Sequence, residues 1–372
     1  METKNRRLVT LLATIATSVG LRAAGFRLEE ARQGAASEAT PAAARNGSET
    51  PSRQGGGDRG QAAETPSQIP ARGWWDILRR TFQQVSEDRL LTEAAGITFY
   101  ALLALFPALS ALVSLYGLFA DPADISAHLA TLAGVIPGGG MEIIEEQVRR
   151  VSEQGSGTLG FGLAASLAVS LWSANGATKA VFDALNIIYE EKETRSFLKR
   201  TAITLAFTLG AILFALLAMA AVVALPVVLG FIGLGPTIEL LLRLLRWPLL
   251  LAAVGVLLAV LFRYGPSRDE AKWRWVSWGG AFAAVAWLLG SAAFSFYVAN
   301  FGSYNETYGS LGAVIGFMTW IWISTAIVLA GAELDAEMER QTQRDTTKGP
   351  ERPLGARGAT MADTVAAGEK AP

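Results

Sequence analysis

The chain has no cysteine and a single histidine, His128. The first absence excludes disulfides, thiolate metal sites and cysteine nucleophiles. The second removes multi-histidine metal centres and histidine-based catalytic dyads. An excess of either charge is lacking too: 32 Lys and Arg against 33 Asp and Glu leave a formal net charge of −1. A nucleic-acid binder carries a basic surplus, so no nucleic-acid partner is expected. Also missing are a P-loop, a dinucleotide fingerprint, a Gly-x-Ser-x-Gly elbow and a cluster of acids inside an apolar run. An ATP-driven pump complete in this chain is therefore not expected, and no cofactor is either.

What is present is apolar. Half of the residues are hydrophobic, and the mean hydropathy is positive despite 38 glycines. Residues 94–120 form a 27-residue run without one charged side chain. As a helix it is roughly 40 Å long, against about 30 Å of bilayer hydrocarbon. This predicts a first transmembrane helix. Gly96, Tyr100, Leu103, Pro107, Ser110, Ser114 and Gly117 recur along it at steps of four and three. They fall on one narrow stripe, as in a helix packed within a bundle. Pro107 removes a backbone donor and should bend the helix, either to suit packing or as part of a solute path.

Five further spans are expected at 158–178, 201–229, 247–263, 275–299 and 309–332. Similar stripes run along three of them: Gly162 to Ala180, Gly279 to Asn300, and Gly309 to Glu333. Close helix packing explains these stripes by itself, and a transport path is an added hypothesis. Two connections, 179–200 and 263–274, carry nine Lys and Arg, against four in the three opposite loops. The positive-inside rule then places both termini in the cytoplasm, a parity that six spans satisfy.

Residues 1–71 read as disordered or weakly structured, with a possible extra hydrophobic helix at 8–24. That run resembles a signal h-region or a marginal span. Either would complicate the placement of Arg72, Arg79, Arg80 and Arg89, so a surface helix or a misplaced start codon stays open. Trp74, Ile77, Leu78, Phe82 and Val85 share one helical face, which predicts an amphipathic helix on the membrane surface before the first span. A membrane domain follows over 72–338, and 339–372 reads as a disordered cytoplasmic tail. In the 230–246 loop, Glu239 and Arg243 could pair along an outer surface helix, with Trp247 at the interface. His128, in the long outer loop, reads as a solvated or interfacial residue.

The candidate pore or polar-site residues stand at the ends of spans or on the stripes. At the inner end are Ser173, Asn175, Lys179 and Asn186 on the second helix and Glu333 on the sixth. On the outer side are Tyr297, Asn300, Tyr304 and Tyr308, as an aromatic belt or a ligand vestibule. Tyr100 and Pro107 lie on the first span. Lys179 and Glu333 could pair at a cytoplasmic mouth, with Arg340 or water as rivals for the carboxylate. The expected class is an all-α polytopic membrane bundle of six helices. Its partners are the lipid bilayer and an unknown small solute, with homo-oligomer formation left open.

The segments AAGITFYALLALFP, LWSANGATKAVFDALNIIY, RYGP, YGSLGAVIGFMTWIW and GAELDAE stand along the chain in this order. Together they resemble the YihY/virulence factor BrkB family of bacterial inner-membrane proteins, older members of which were labelled ribonuclease BN. The resemblance covers about residues 75–340 and implies an inner-membrane, multi-pass protein. One departure is Asp335, where an asparagine is expected. Three functions follow for weighing: a transporter or exporter of an unidentified solute, a non-transporting scaffold in envelope integrity or serum resistance, and a ribonuclease. The last wants clustered carboxylates or histidines by a basic groove, and this sequence scatters them. The expectation is a non-enzyme.

Overall fold

The computed structural model describes residues 59–116, 159–232, 236–301 and 310–366. Residues 8–24, His128 with the rest of 117–158, and the 302–309 segment holding Tyr304 and Tyr308 lie outside the described residues. A short 3-10 turn, Pro66–Gln68, precedes α1 (Ala71–Glu87) and α2 (Leu90–Tyr116). Then come α3 (Leu159–Ile188), α4 (Phe197–Ile232), α5 (Pro236–Tyr264), α6 (Trp273–Phe301), α7 (Ser310–Gln341) and α8 (Thr360–Asp363). The described residues form no sheet, only an isolated bridge between Ala271 and Thr347.

Among the described residues, four stretches are long and apolar enough to cross a bilayer: Phe197–Ala218, Leu244–Tyr264, Trp273–Ala299 and Val314–Gln341. At most 17% of the most apolar window of any of them is buried inside the protein. Side chains such as Leu213, Leu217, Leu249, Val256 and Leu289 are exposed, an apolar surface that suits lipid. The apolar stretch of α2, Leu90–Leu105, is shorter. The connection expected at 230–246 is mostly helix, because α4 runs to Ile232 and α5 already starts at Pro236. Pro236 suits a first helical position, where its missing N–H costs nothing.

Helix contacts are pairwise and sequential, α2 on α3, α5 on α6 and α6 on α7, but α7 also meets α1, α2, α3 and α8. Glycine sets the closest approaches. A Cβ on Gly280 would meet the Gly255 carbonyl at 2.8 Å, and one on Gly331 would meet the Gly279 carbonyl at 2.8 Å. The stripe on α6 is thus a packing surface, as expected of small residues in lipid. The buried core gathers at one end of the bundle, where Leu185, Tyr189, Phe262, Leu329 and Ala336 pack together.

Two terminal segments differ from the expectation of disorder. Residues 59–71 are ordered, with Ala63 and Ile69 buried beside Ile77, Trp275, Leu334 and Met338. The segment after 338 is ordered to 366. Arg357, 4% exposed, donates to the carbonyls of Gln343 and Ala362 at 2.6 Å and of Arg344 and Arg352 at 3.2 Å. Burial would raise the Asp345 carboxyl, but bonds from Thr347 and Arg352 hold it below its ordinary value. Met361 is buried in the main core. Polar side chains satisfying backbone groups, rather than apolar runs, hold this tail.

Candidate functional site

The last turns of α7 read Glu333-Leu-Asp335-Ala-Glu337-Met-Glu339. Acids two residues apart on a helix step around it by about 200°, so Glu333 and Glu337 share one face and Asp335 and Glu339 the opposite one. All four are fully buried. They make an acid cluster at the end of the Val314–Gln341 apolar stretch, where none was expected. Each faces different surroundings.

Asp335 faces α6. Its Oδ1 accepts the Gly279 backbone N–H at 2.7 Å, and its Oδ2 has no partner. A Cβ on Gly279 would collide with the Gly331 carbonyl and with the Asp335 carboxylate, so glycine is required for this approach. Glu337 faces α1. It pairs with the Arg80 guanidinium and, at 3.4 Å, with Arg340. Arg80 also donates to Gln341 Oε1 at 2.7 Å.

Glu339 faces the α5–α6 connection. Arg268 meets it with two parallel bonds of 2.8 and 2.7 Å, and Thr346 adds a third at 3.0 Å. Both side chains of the pair are 0% exposed. The guanidinium lies 4.0 Å from the Tyr189 ring centroid, a cation–π contact. Burial alone would lower the Arg268 pKa, but the Glu339 carboxylate overrides it and pushes the pKa above the usual arginine range.

Glu333 differs from the other three: neither carboxylate oxygen has a hydrogen-bond partner. The charges bearing on it are Asp88, Glu337 and Glu190, with Arg340 as the one cation. Arg340 is occupied elsewhere, 3.4 Å from Glu337 and 3.9 Å from Glu190. Asp88 closes α1, and its carboxyl is pushed up to about 6 by burial and by Glu190, Glu87 and Glu337. The non-glycine residues with positive φ among those described are Arg89 at 53° and Glu190 at 52°. Arg89 follows Asp88 in the α1–α2 turn and Glu190 follows the end of α3, each holding a conformation that costs roughly 1–2 kcal/mol.

The expected direct pair between Lys179 and Glu333 is not formed. Lys179 Nζ lies 5.3 Å from the Phe197 ring centroid, on the α4 side of α3. Asn186 instead ties two connections together. Its Oδ1 accepts the Ser267 N–H at 2.8 Å, and its amide donates to Glu193 at 3.2 Å. Arg195 grips Glu193 at 2.8 Å, holding that carboxyl down to about 2 although burial alone would raise it.

Asn175 is buried with its Oδ1 unpartnered, and Ser173 is half-buried. One turn on, Thr178 and Thr208 share a 2.8 Å bond between α3 and α4, continued by Thr208 to the Thr204 carbonyl at 2.9 Å. Tyr100 packs against Gly176, with Cδ1 3.6 Å from a Cβ built there. Tyr297 is exposed beside Phe294. Pro107 and Asn300 lie in α2 and α6, their side chains outside the described ones.

A cleft of about 820 Å³ opens beside this end, lined by Glu191, Arg195, Lys199, Arg263, Asp269 and Thr360 among others. Its charges largely cancel, since Arg263 pairs with Glu270 and Arg195 with Glu193. That Arg80, Asp88, Glu190 and Arg268 gather around these acids escapes a reading of the sequence, which offers Gly279 only as a packing position. The signal for them was the run of alternating acids in α7, which demands partners on every side.

These features define an all-helical membrane protein with a buried, charge-rich end. The chain belongs to the virulence factor BrkB family, whose model matches residues 81–355. It is 26% identical to the ribonuclease-like protein YfkH of Bacillus subtilis, over 71% of this chain and 96% of that one. It is also similar to UPF0761 membrane proteins. That of Methylibium petroleiphilum is 27% identical over 71% of this chain and 62% of its own length. That of Chromohalobacter salexigens is 29% identical over 72% and 65% respectively. The chain thus spans under two thirds of these UPF0761 relatives. No solved structure matches it.

Proposed function

We propose that the protein is a six-span inner-membrane transporter or exporter of a small solute, with both termini cytoplasmic and the charged end of the bundle at the cytoplasmic face. The observation that carries this is Glu333, a fully buried carboxylate without a partner inside a polytopic bundle. Such a group is costly unless it has a task, and ionisable residues in membrane bundles mark ion and substrate pathways. The hydroxyl and amide seam of Asn175, Thr178, Thr204 and Thr208 supports a polar route between α3 and α4. Six helices of 27 to 36 residues, α2 to α7, are each long enough to span. In α1, Ile77 of the expected face is buried and Trp74 and Val85 pack against the core, while Leu78 and Phe82 stay exposed together with Trp75, which suits a helix lying at the lipid interface. The reading is of a non-enzyme, in keeping with the membrane-protein names of the UPF0761 relatives.

Reporter fusions after Glu191 and Asp269 are expected to behave as cytoplasmic, and one after Glu145 as periplasmic. The opposite result at any of the three removes this topology. For function, purified protein in proteoliposomes should move at least one solute in a screen of ions, amino acids and organic anions. Glu333→Gln is expected to reduce that flux by tenfold or more while melting stays near that of the parent. Flux unchanged in the variant would take Glu333 out of the transport site.

A further inference from the structure

The surroundings of Glu333 restrict what can neutralise it. The charges that bear on it are Asp88 in the α1–α2 turn, Glu190 after the end of α3, and Glu337 and Arg340 on its own helix. The cations within reach are committed: Arg80 to Glu337, and Arg340 to Glu337 and Glu190. Lys179, on α3, stacks on Phe197. Asp335, the neighbouring buried acid, takes a backbone N–H from α6. Glu333 is therefore fully buried with two vacant carboxylate oxygens, and the charges that bear on it are mostly acids. A divalent ion would want about six oxygen ligands, and among the described residues no group of three His, Asp or Glu could hold a metal. One small charge fits.

We infer that the pocket around Glu333 binds a single monovalent cation and that this cation is a proton, the coupling ion of the transport reaction. This rests on the transport reading above and names the ion of that site. A proton needs no ligand shell, only one oxygen, and converts a costly buried charge into a neutral acid. The acids around it raise the local affinity for positive charge. Asp88, partly exposed and first among the charges that bear on Glu333, is the group through which the proton would exchange with the aqueous side.

The test is infrared spectroscopy of the purified full chain at neutral pH, with and without isotope-labelled glutamate. A protonated-carboxyl C=O band that shifts with labelled glutamate, and is lost in Glu333→Gln, is expected. Absence of such a band in the unmodified protein, or its survival in Glu333→Gln, overturns the inference. So does a band abolished by added Na⁺ or K⁺, which would assign the pocket to an alkali ion. Should the glutamine variant fail to fold, Glu333→Asp keeps the test open: the band must then lose its response to labelled glutamate. The measurement needs no solute. A band without flux in any screen would remove the transport reading alone, and flux without the band would remove only the proton.

Discussion

Replacing Arg268 by methionine is expected to destabilise the protein by about 3–5 kcal/mol, enough to deplete folded protein from the membrane. The side chain is fully buried, and its loss strands the Glu339 carboxylate in the core with only the Thr346 hydroxyl for company. The pair itself is not a large net stabiliser, because desolvating two charges offsets most of their attraction. Removing one member is therefore far worse than removing both. Arg268→Met combined with Glu339→Leu should recover much of the lost melting temperature, giving a strongly non-additive cycle. A single variant that melts with the parent would show that water reaches Glu339 and that the pair is not closed off.

The same pair shows where sequence reading stops. Apolar runs are local, so the helices around 201–229, 247–263, 275–299 and 309–332 were legible from composition alone. The α6 stripe is legible for the same reason: Gly279, Ala283 and Gly290 of the four-three series meet α7. Partners across the bundle are set by azimuth and depth, which a linear pattern does not carry. Lys179 and Glu333 lie near the expected inner ends of their helices, yet Lys179 turns toward α4 while Glu333 turns toward Asp88 and Glu190. The order of residues 59–71 and 339–366 is not legible in the sequence because it has a polar origin. Arg357 gathering four carbonyls, and Asp345 capping its own turn, leave no apolar signature. Asp335 stands where the family resemblance leads one to expect asparagine, and its Oδ1 does what an asparagine oxygen would do, accepting the Gly279 N–H.

At Gly279 a single methyl is expected to have an effect second only to the loss of Arg268. Alanine is normally the better helix former by about 1 kcal/mol, so in open space the change stabilises. Here the new Cβ would strike the Gly331 carbonyl and the Asp335 carboxylate, one of them backbone that can yield only if α6 and α7 part. Overpacking of this kind costs about 1–3 kcal/mol. Parting the helices also lengthens the 2.7 Å bond to Asp335, leaving both its oxygens without a donor at a further cost of about 1–3 kcal/mol. Gly210 of α4 serves as the control, because nothing lies within 4 Å of a Cβ there. Gly210→Ala should melt at or slightly above the parent, whereas Gly279→Ala should melt well below it. Gly279→Ser should be no better, since its hydroxyl still needs room for Cβ. If Gly279→Ala and Gly210→Ala melt alike in the same detergent, the α6–α7 contact is looser than 2.8 Å packing allows, and Asp335 is not held by α6.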